Sequence, residues 1–466
     1  MRRKICVFTA VIAASAVLLC GCGKNGYEDF VIPEQGNSVL TALKENVVEN
    51  HYEGVEPTVE EAQSTETSAD GLCTIKCMSS YYDITLDYEK GSYYDVGKAY
   101  GEMTLKVRAD YGEMMEQYLF ENISAVFMNL NGDYSSIKER VDSFYNALYS
   151  DYKQELDGFA DAVSGDSQGI KKDGILSADE VRLCQFVPDA LRGTACSAIS
   201  LDGTMTASGS RISNRILEWQ LGSENQLCRA HSLVHFINGS KTLTSVTYLG
   251  FFPILTAVSD DGVMISEYDV GSYMGEPYTY LEKRSYTYDM RYAVENYATA
   301  RECVDFLVDN AEKYPYCVNV LATDENDALV AELVVESSDG TPTVRDGSSK
   351  LGDKIEWSDP HCVCVVNSFA ADGNPGYIAF DANNNVRWKR YEQLFCGQKG
   401  LTTGRFKELI TSEKLSETRE NIRSDSVVHM VLADYDTKRL QAVLTGEDGV
   451  VQTPEFIDLG SWEYAR

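Results

Sequence analysis

Two spacings of apolar residues alternate along this chain. From Tyr93 to about Ser164 they recur every three or four positions. YYDVGKAYGEMTLKVRADYGEMMEQYLFENI and SSIKERVDSFYNALYSDYKQELDGFADAVS therefore read as helices. LSADEVRLCQFVPDAL follows, and Ser177 with Glu180 has the S-x-x-E spacing of a capping box, which marks a helix start. After Cys196 the period shortens to two. CSAISL, MTASGSRIS, RAHSLVHFI, KTLTSVTYLG, ILTAV and GVMISEYDV read as strands, with Asp202-Gly203 and Asn238-Gly239 as hairpin turn signals. A helical block, YTYDMRYAVENYATARECVDFLVDNAEK, interrupts them. Strands return in VNVLATD, ALVAELVVE and CVCVVNSF, a helix begins near VRWKRYEQLF, and VVHMVLADYDTKRLQAVLTG closes as a hairpin. Blocks of antiparallel strands separated by blocks of helices predict an α+β layered fold. No repeat of fixed period stands out.

The N-terminus breaks this texture. MRRK is a basic start, and ICVFTAVIAASAVLL is an apolar run too short and wrongly flanked for an ordinary spanning helix. Leu19-Cys20-Gly21-Cys22 follows. A small residue before a cysteine, directly after such a run, resembles a bacterial lipoprotein signal. The resemblance implies cleavage before Cys22, diacylglycerol on its thiol, and a chain held outside the cytoplasm on the membrane by lipid. Cys20 is the weaker alternative, since Leu19 is not small, and an ordinary secretory signal is a second alternative. Residues 1–21 are thus read as signal peptide and 22–72 as an acidic, lipid-anchored tether ending near PTVEEAQSTETSAD, with a short helix suggested at VLTALKENVVE. Residues 73–195 are read as a helical segment and 196–466 as the strand-rich body.

Composition narrows the function. Apolar residues make up 44% of the chain, enough for a substantial core. With 72 acidic and 41 basic residues the formal charge is −31, which repels phosphate backbones and argues against nucleic acid as a partner. The 13 cysteines include no CxxC pair, and the histidines form no paired motif with them, so no zinc signature is read in the sequence. Cys362 and Cys364, two apart on a predicted strand, share a face as core residues do. GIKKDGILSADE has Gly174 and Glu180 at the offsets of a calcium loop, but Gly169 and Lys171 stand where the first carboxylate ligands belong.

Cys196 is the candidate for chemistry. A thiol becomes a nucleophile only beside a base or a cation, and no histidine lies within 30 residues of it. Cutting the Ala195–Cys196 bond would supply a base, the new α-amine, whose reference pKa is about 8. The light Gly193-Thr194-Ala195 ahead of it eases attack of the thiol on the preceding carbonyl. Here the sequence resembles the N-terminal-nucleophile amidohydrolases of the acyl-coenzyme A:6-aminopenicillanic acid acyltransferase type, relatives of N-acylethanolamine acid amidase, acid ceramidase and choloylglycine hydrolase. Cys196-Ser197-Ala198 stands for their Cys-Thr-Ser, and Arg215-Ile216-Leu217-Glu218-Trp219 for their Arg-Asn-x-Asp-Trp, with Glu for Asp and Ile216 for the asparagine. GSYYDVGKAYGE, DGFADAV, GFFPILTAVSDDGVMIS (Ser259 where an asparagine often sits), VLATDENDALVAELV, VVNSFAADG and NNNVRWKRYEQL resemble further family segments in the same order, over about residues 80–450.

The resemblance implies a four-layer αββα sandwich preceded by a helical N-terminal segment, with no metal and no cofactor. It implies Cys196 as nucleophile, Arg215 favouring the thiolate, Glu218 receiving the new α-amine, Asn367 donating to the oxyanion, and Arg387, in competition with Arg390, holding the nucleophile region. Self-cleavage would leave an α chain, Cys22–Ala195, and a β chain, Cys196–Arg466. The implied substrate is a small N-acyl amide, cleaved through a thioester or, as an alternative, acylating an amine. A non-catalytic binding lipoprotein and a Cys-His peptidase remain as alternatives of another kind.

Overall fold

A computed structural model describes residues 47–48, 50–126, 132–191, 195–270, 280–335, 339–357, 359–376, 382–414, 421–424, 426–449 and 454–463. The leader, Cys22 and most of the tether lie outside them. None of the described helices is long and apolar enough to cross a membrane.

In chain order the strands are β1 (Val47–Val48), β2 (Ser64–Thr67), β3 (Cys73–Cys77), β4 (Tyr82–Asp87), β5 (Ala195–Leu201), β6 (Ile212–Glu218), β7 (His231–Asn238), β8 (Lys241–Tyr248), β9 (Thr256–Ser259), β10 (Met264–Asp269), β11 (Val318–Thr323), β12 (Ala328–Leu333), β13 (Thr343–Arg345), β14 (Cys362–Val365), β15 (Glu413–Lys414), β16 (Val427–Asp434), β17 (Arg439–Leu444) and β18 (Ile457–Ser461). The helices are α1 (Tyr93–Val107), α2 (Tyr111–Val126), α3 (Ser135–Ala147), α4 (Ser150–Val163), α5 (Ala178–Gln185), the single turn α6 (Val187–Ala190), α7 (Tyr286–Asn296), α8 (Ala300–Asp309), α9 (Ala382–Phe395) and α10 (Thr403–Ile410).

β1 pairs with β15, and the other described strands form a ten-stranded sheet, in order β13-β12-β11-β10-β9-β8-β7-β4-β3-β2, and a six-stranded sheet, in order β14-β5-β6-β16-β17-β18. Their side chains alternate as the period of two requires. On the small sheet Ile199, Leu201, Ile216, Met430 and Leu432 point outward onto Trp388, Tyr391 and Phe395 of α9 and Phe406 of α10. Val431, Ala433 and Ala442 point inward onto Leu233, Val246, Val258 and Met264 of the large sheet. The outer face of the large sheet buries Ile84, Val320 and Ala331 in one core with α1, α4, α7 and α8. The layers therefore run helix, sheet, sheet, helix, as expected.

Local signals hold where they were strong. Ser177 and Glu180 form the predicted capping box, and Ser92 with Asp95 forms a second. Helices α1 and α4 cross at Gly97 and Gly158, whose missing side chains let the backbones touch: a Cβ on Gly158 would sit 2.0 Å from the Tyr94 carbonyl oxygen. The calcium-loop candidate is occupied by backbone instead. Glu180 accepts from Lys171 N at 2.7 Å, and Glu116 from Asp173 N and Gly174 N at 2.8 Å each. No cluster of metal ligands occurs among the described residues.

The tether ends earlier than its composition suggested. Tyr52 is buried, Thr58 N donates to Phe456 O at 2.9 Å, and β2 pairs with β3. Polar residues here are edge-strand residues, which need no apolar face. The expected strand in MTASGSRIS starts late as well. Asp202 to Arg211 is a loop containing a short 3-10 turn, anchored by Arg211 on Asp202 at 2.6 Å and on Asp324 O at 2.8 Å.

Gly158→Ala is expected to destabilise the protein by roughly 3 kcal/mol through overpacking of the α1–α4 crossing. Urea unfolding checks it, and a change under about 0.5 kcal/mol would show that the crossing can relax.

Candidate active site

The site grows out of one strand register. β5 and β6 pair with Cys196 opposite Leu217, Ala198 opposite Arg215 and Ala195 opposite Glu218. Paired residues share a face. Cys196, Leu217 and Arg215 thus point between the sheets, while Glu218 points to α9. On the other side of β5, β14 pairs from Cys362–Leu201 to Val365–Ala198. Continued by two residues, that register sets Asn367 opposite Cys196. The backbone does not continue, because Val366 and Ser368 bridge to each other in a tight turn. The Asn367 side chain takes the place of the strand.

Cys196 N donates to Asn367 Oδ1 at 2.7 Å, and Arg387 Nη1 donates to Cys196 O at 2.8 Å. Arg387 Nη2 also donates to Asn367 Oδ1 at 2.8 Å and to Asn384 Oδ1 at 2.9 Å. Two donors converge on Oδ1, which fixes the orientation of the Asn367 amide. Its Nδ2 donates to Asp269 O at 2.7 Å. One N–H of the oxyanion donor expected of Asn367 is therefore engaged by a backbone carbonyl. Glu218 approaches the same cation, with Oε2 3.4 Å from Arg387 Nη1, and accepts from Ser424 N at 3.2 Å. Asn367, not Glu218, holds the Cys196 nitrogen here.

The other four predicted side chains thus meet around Cys196. Arg387 reaches it, and Arg390 instead donates to Ser412 Oγ at 3.0 Å. Ser259 caps the β9–β10 turn by accepting from Val263 N at 3.3 Å. Asn384 was missed. It sits one helical turn before Arg387, so the i, i+3 spacing inside NNNVRW was the signal. Glu267 was missed too, because β10 comes from the other sheet and only packing brings it to Arg215.

Around the thiol the surroundings are dry and charged. Arg215 Nη2 lies 3.4 Å from Cys196 Sγ and 3.4 Å from Glu267 Oε1. Burial pushes the Cys196 thiol up to about 12, and the Arg215 cation does not offset it. The intact chain therefore carries a protonated, dormant thiol. Burial likewise pushes the Glu267 carboxyl up to about 7 despite Arg215. No imidazole contacts the thiol directly; His429 Nε2 meets Arg215 Nη1 at 3.5 Å.

A cavity of about 610 Å³, part of it open to solvent, begins beside Cys196 at Leu217. Its walls include Met115 and Tyr118 of α2, Val187 of α6, Trp219 and Tyr248. None of the described residues lining it is charged, so it suits an apolar group. The segment leading to Cys196 is clamped as firmly as Cys196 itself. Tyr316 OH donates to Pro188 O, and Arg140 Nη1 donates to Ala190 O at 3.0 Å. Asp189 accepts from Tyr286 N, Ser285 Oγ and Thr287 Oγ1, each at 2.9 Å. Gly193 and Thr194 lie outside the described residues.

No protein-family model matches the sequence, and no curated protein matches it. Solved structures do. The N-acylethanolamine-hydrolyzing acid amidase ortholog of Caenorhabditis elegans is 15% identical over 51% of this chain and 92% of its own, with a TM-score of 0.36. A mutant of conjugated bile acid hydrolase from Clostridium perfringens is 10% identical over 58% of this chain and 95% of its own, with a TM-score of 0.33. A second variant of that enzyme gives 10% and 0.32. Identities this low leave the chemistry to be read from the geometry of the site.

Asp189 yields a test of the clamp. Burial pushes its carboxyl up to about 7, against hydrogen bonds that lower it. Between pH 4 and 7 the unfolded chain loses a proton that the folded chain keeps, so this group's contribution to stability falls as pH rises. Asp189→Asn is expected to remove that contribution, on the order of 2 kcal/mol. Urea midpoints at pH 4.5 and 7 check it. Equal pH slopes for variant and parent would show that Asp189 is ionised in the folded chain.

Proposed function

We propose that this chain is the precursor of an N-terminal cysteine amidohydrolase acting on small N-acyl amides with an apolar acyl group. The observation that carries the reading is the capture of the backbone on both sides of the Cys196 Cα. Asn367 and Arg387 hold the nitrogen and carbonyl of Cys196, while Arg215 reaches its thiol. A merely structural cysteine needs no such hold on its backbone.

In this reading Cys196 Sγ attacks the Ala195 carbonyl. The C–N bond breaks, the nitrogen takes up the thiol proton, and water hydrolyses the resulting ester to free Ala195 and the thiol. The released α-amine keeps one N–H on Asn367 Oδ1, with Glu218 available to a second. Its lone pair is then free to take the thiol proton, as a general base does. Arg215 favours the thiolate so formed. The acyl group of the substrate lies in the cavity between Leu217 and Tyr118, the thiolate forms a thioester, and water releases the acid. Metal and cofactor play no part in these steps. Lipid on Cys22 would place the enzyme on the outer side of the membrane. Transfer of the acyl group to an amine uses the same thioester and is told apart by its products when an amine is added.

A non-catalytic binding protein is the second reading, favoured by the buried, neutral thiol. Intact mass and N-terminal sequencing of the protein without its leader, beside Cys196→Ala, separate the two. The proposal expects two fragments, one beginning Cys-Ser-Ala-Ile, and a single chain in the variant. A single uncut chain in both, even after incubation at mildly acidic pH, would sink it.

A further inference from the structure

A group of polar atoms beside the nucleophile has no role in the self-cleavage and acyl-transfer steps. His231 of β7, Tyr248 of β8 and His429 of β16 meet between the sheets. Their ring centroids lie 5.7 Å apart for His231–His429, 5.9 Å for His231–Tyr248 and 6.1 Å for Tyr248–His429. All three side chains are buried. Among the described residues, His429 Nδ1 and the Tyr248 hydroxyl lack a hydrogen-bond partner, as do Arg215 Nε and Glu267 Oε2. Buried polar atoms without partners are costly, and each calls for an explanation.

Arg215 supplies one. Its guanidinium is fully buried, yet no carboxylate grips it through two bonds. Nη2 has Cys196 Sγ and Glu267 Oε1, both at 3.4 Å, and Nη1 has His429 Nε2 at 3.5 Å. These three long contacts set where the cation points. A guanidinium only donates, so His429 Nε2 must carry the lone pair and Nδ1 the proton. Burial, Arg215 and His231 hold the imidazole neutral, which keeps that lone pair available. The groups facing His429 are Arg215 from β6 and the His231 and Tyr248 rings from the large sheet; Glu267 and Cys196 complete the set around Arg215.

We propose that His429 is a positioning residue: by accepting from Arg215 Nη1 it turns the guanidinium so that Nη2 meets the Cys196 thiol. It does not touch the thiol, and acts on it only through Arg215. The inference rests on Cys196 being the nucleophile, but the contact already exists in the uncut chain and can be tested there.

The test is the pH profile of Cys196 alkylation by iodoacetamide, resolved from the other cysteines by peptide mass. It is run on the protein without its leader, whether cut or uncut. His429→Leu is expected to slow alkylation of Cys196 roughly tenfold at pH 8, a rise of about one unit in the thiol's apparent pKa. His429→Gln, whose Oε1 can accept from Nη1, is expected to keep the parental profile. In an Arg215→Met background His429→Leu is expected to add nothing, because the two act as one unit. Parental alkylation in a folded His429→Leu, the same slowing in His429→Gln, or full additivity with Arg215→Met would each overturn the proposal. If His429→Leu fails to fold, the His429→Gln profile and its cycle with Arg215→Met decide alone. Loss of cutting in the mass experiment, with the tenfold difference intact, would remove the proposed reaction and leave the role of His429 standing.

Discussion

The backbone of one residue, held on both sides of its Cα by side chains where a neighbouring strand ought to be, governs the architecture of the site. β14 stops pairing at Val365, two residues short of Cys196, and leaves one edge of the β5 ladder open. Asn367 and Arg387 close that edge with hydrogen bonds of 2.7 and 2.8 Å. Because both also bond to Asn384, the turn after β14 and the first turns of α9 become one body with β5. The outer helical layer therefore helps to fix the site. Trp388, Tyr391 and Phe395 anchor α9 to the small sheet, and the same helix delivers Arg387 inward.

The second constraint is dryness. Between the sheets, water is replaced by Cys196, Arg215, Glu267, His429 and apolar neighbours, so every charge costs more and every charge–charge contact counts for more. This explains why a thiol 3.4 Å from a cation still stays protonated, and why a carboxyl touching the same cation titrates near neutrality. A thiol buried in this way is unreactive until something nearby changes its solvation or supplies a base.

Much of the fold could be read from the sequence because its signals are local. The period of two in CSAISL, KTLTSVTYLG and VVHMVLADYD, and the capping box at Ser177, are properties of a few neighbouring residues, and β5, β8, β16 and α5 appear where they were expected. β2, β3 and β4 did not announce themselves. STET and CTIKC are short and half polar, and β4 owes its place to parallel pairing with β7, from Tyr82–Ser232 to Asp87–Ile237, about 150 residues downstream. The site divides in the same way. Cys196, Arg215 and Glu218 are neighbours on one hairpin and carry a motif; Asn367 and Arg387 were placed by resemblance to family segments. Glu267 and His429 acquire meaning only once two sheets are stacked, and no spacing in the sequence encodes that contact.

The parallel pairing of β4 with β7 has a topological consequence. β2, β3 and β4 precede Ala195, and the rest of the ten-stranded sheet follows it. A chain opened between Ala195 and Cys196 would keep every hydrogen bond of that sheet, but the sheet would now be shared by two polypeptides. Its assembly, unimolecular while the link lasts, would become bimolecular ever after. Once unfolded and diluted, the two pieces would have to find each other before β4 could find β7. The fold would then be reachable only from the uncut chain, and the mature particle would owe its persistence to slow unfolding more than to reversible equilibrium.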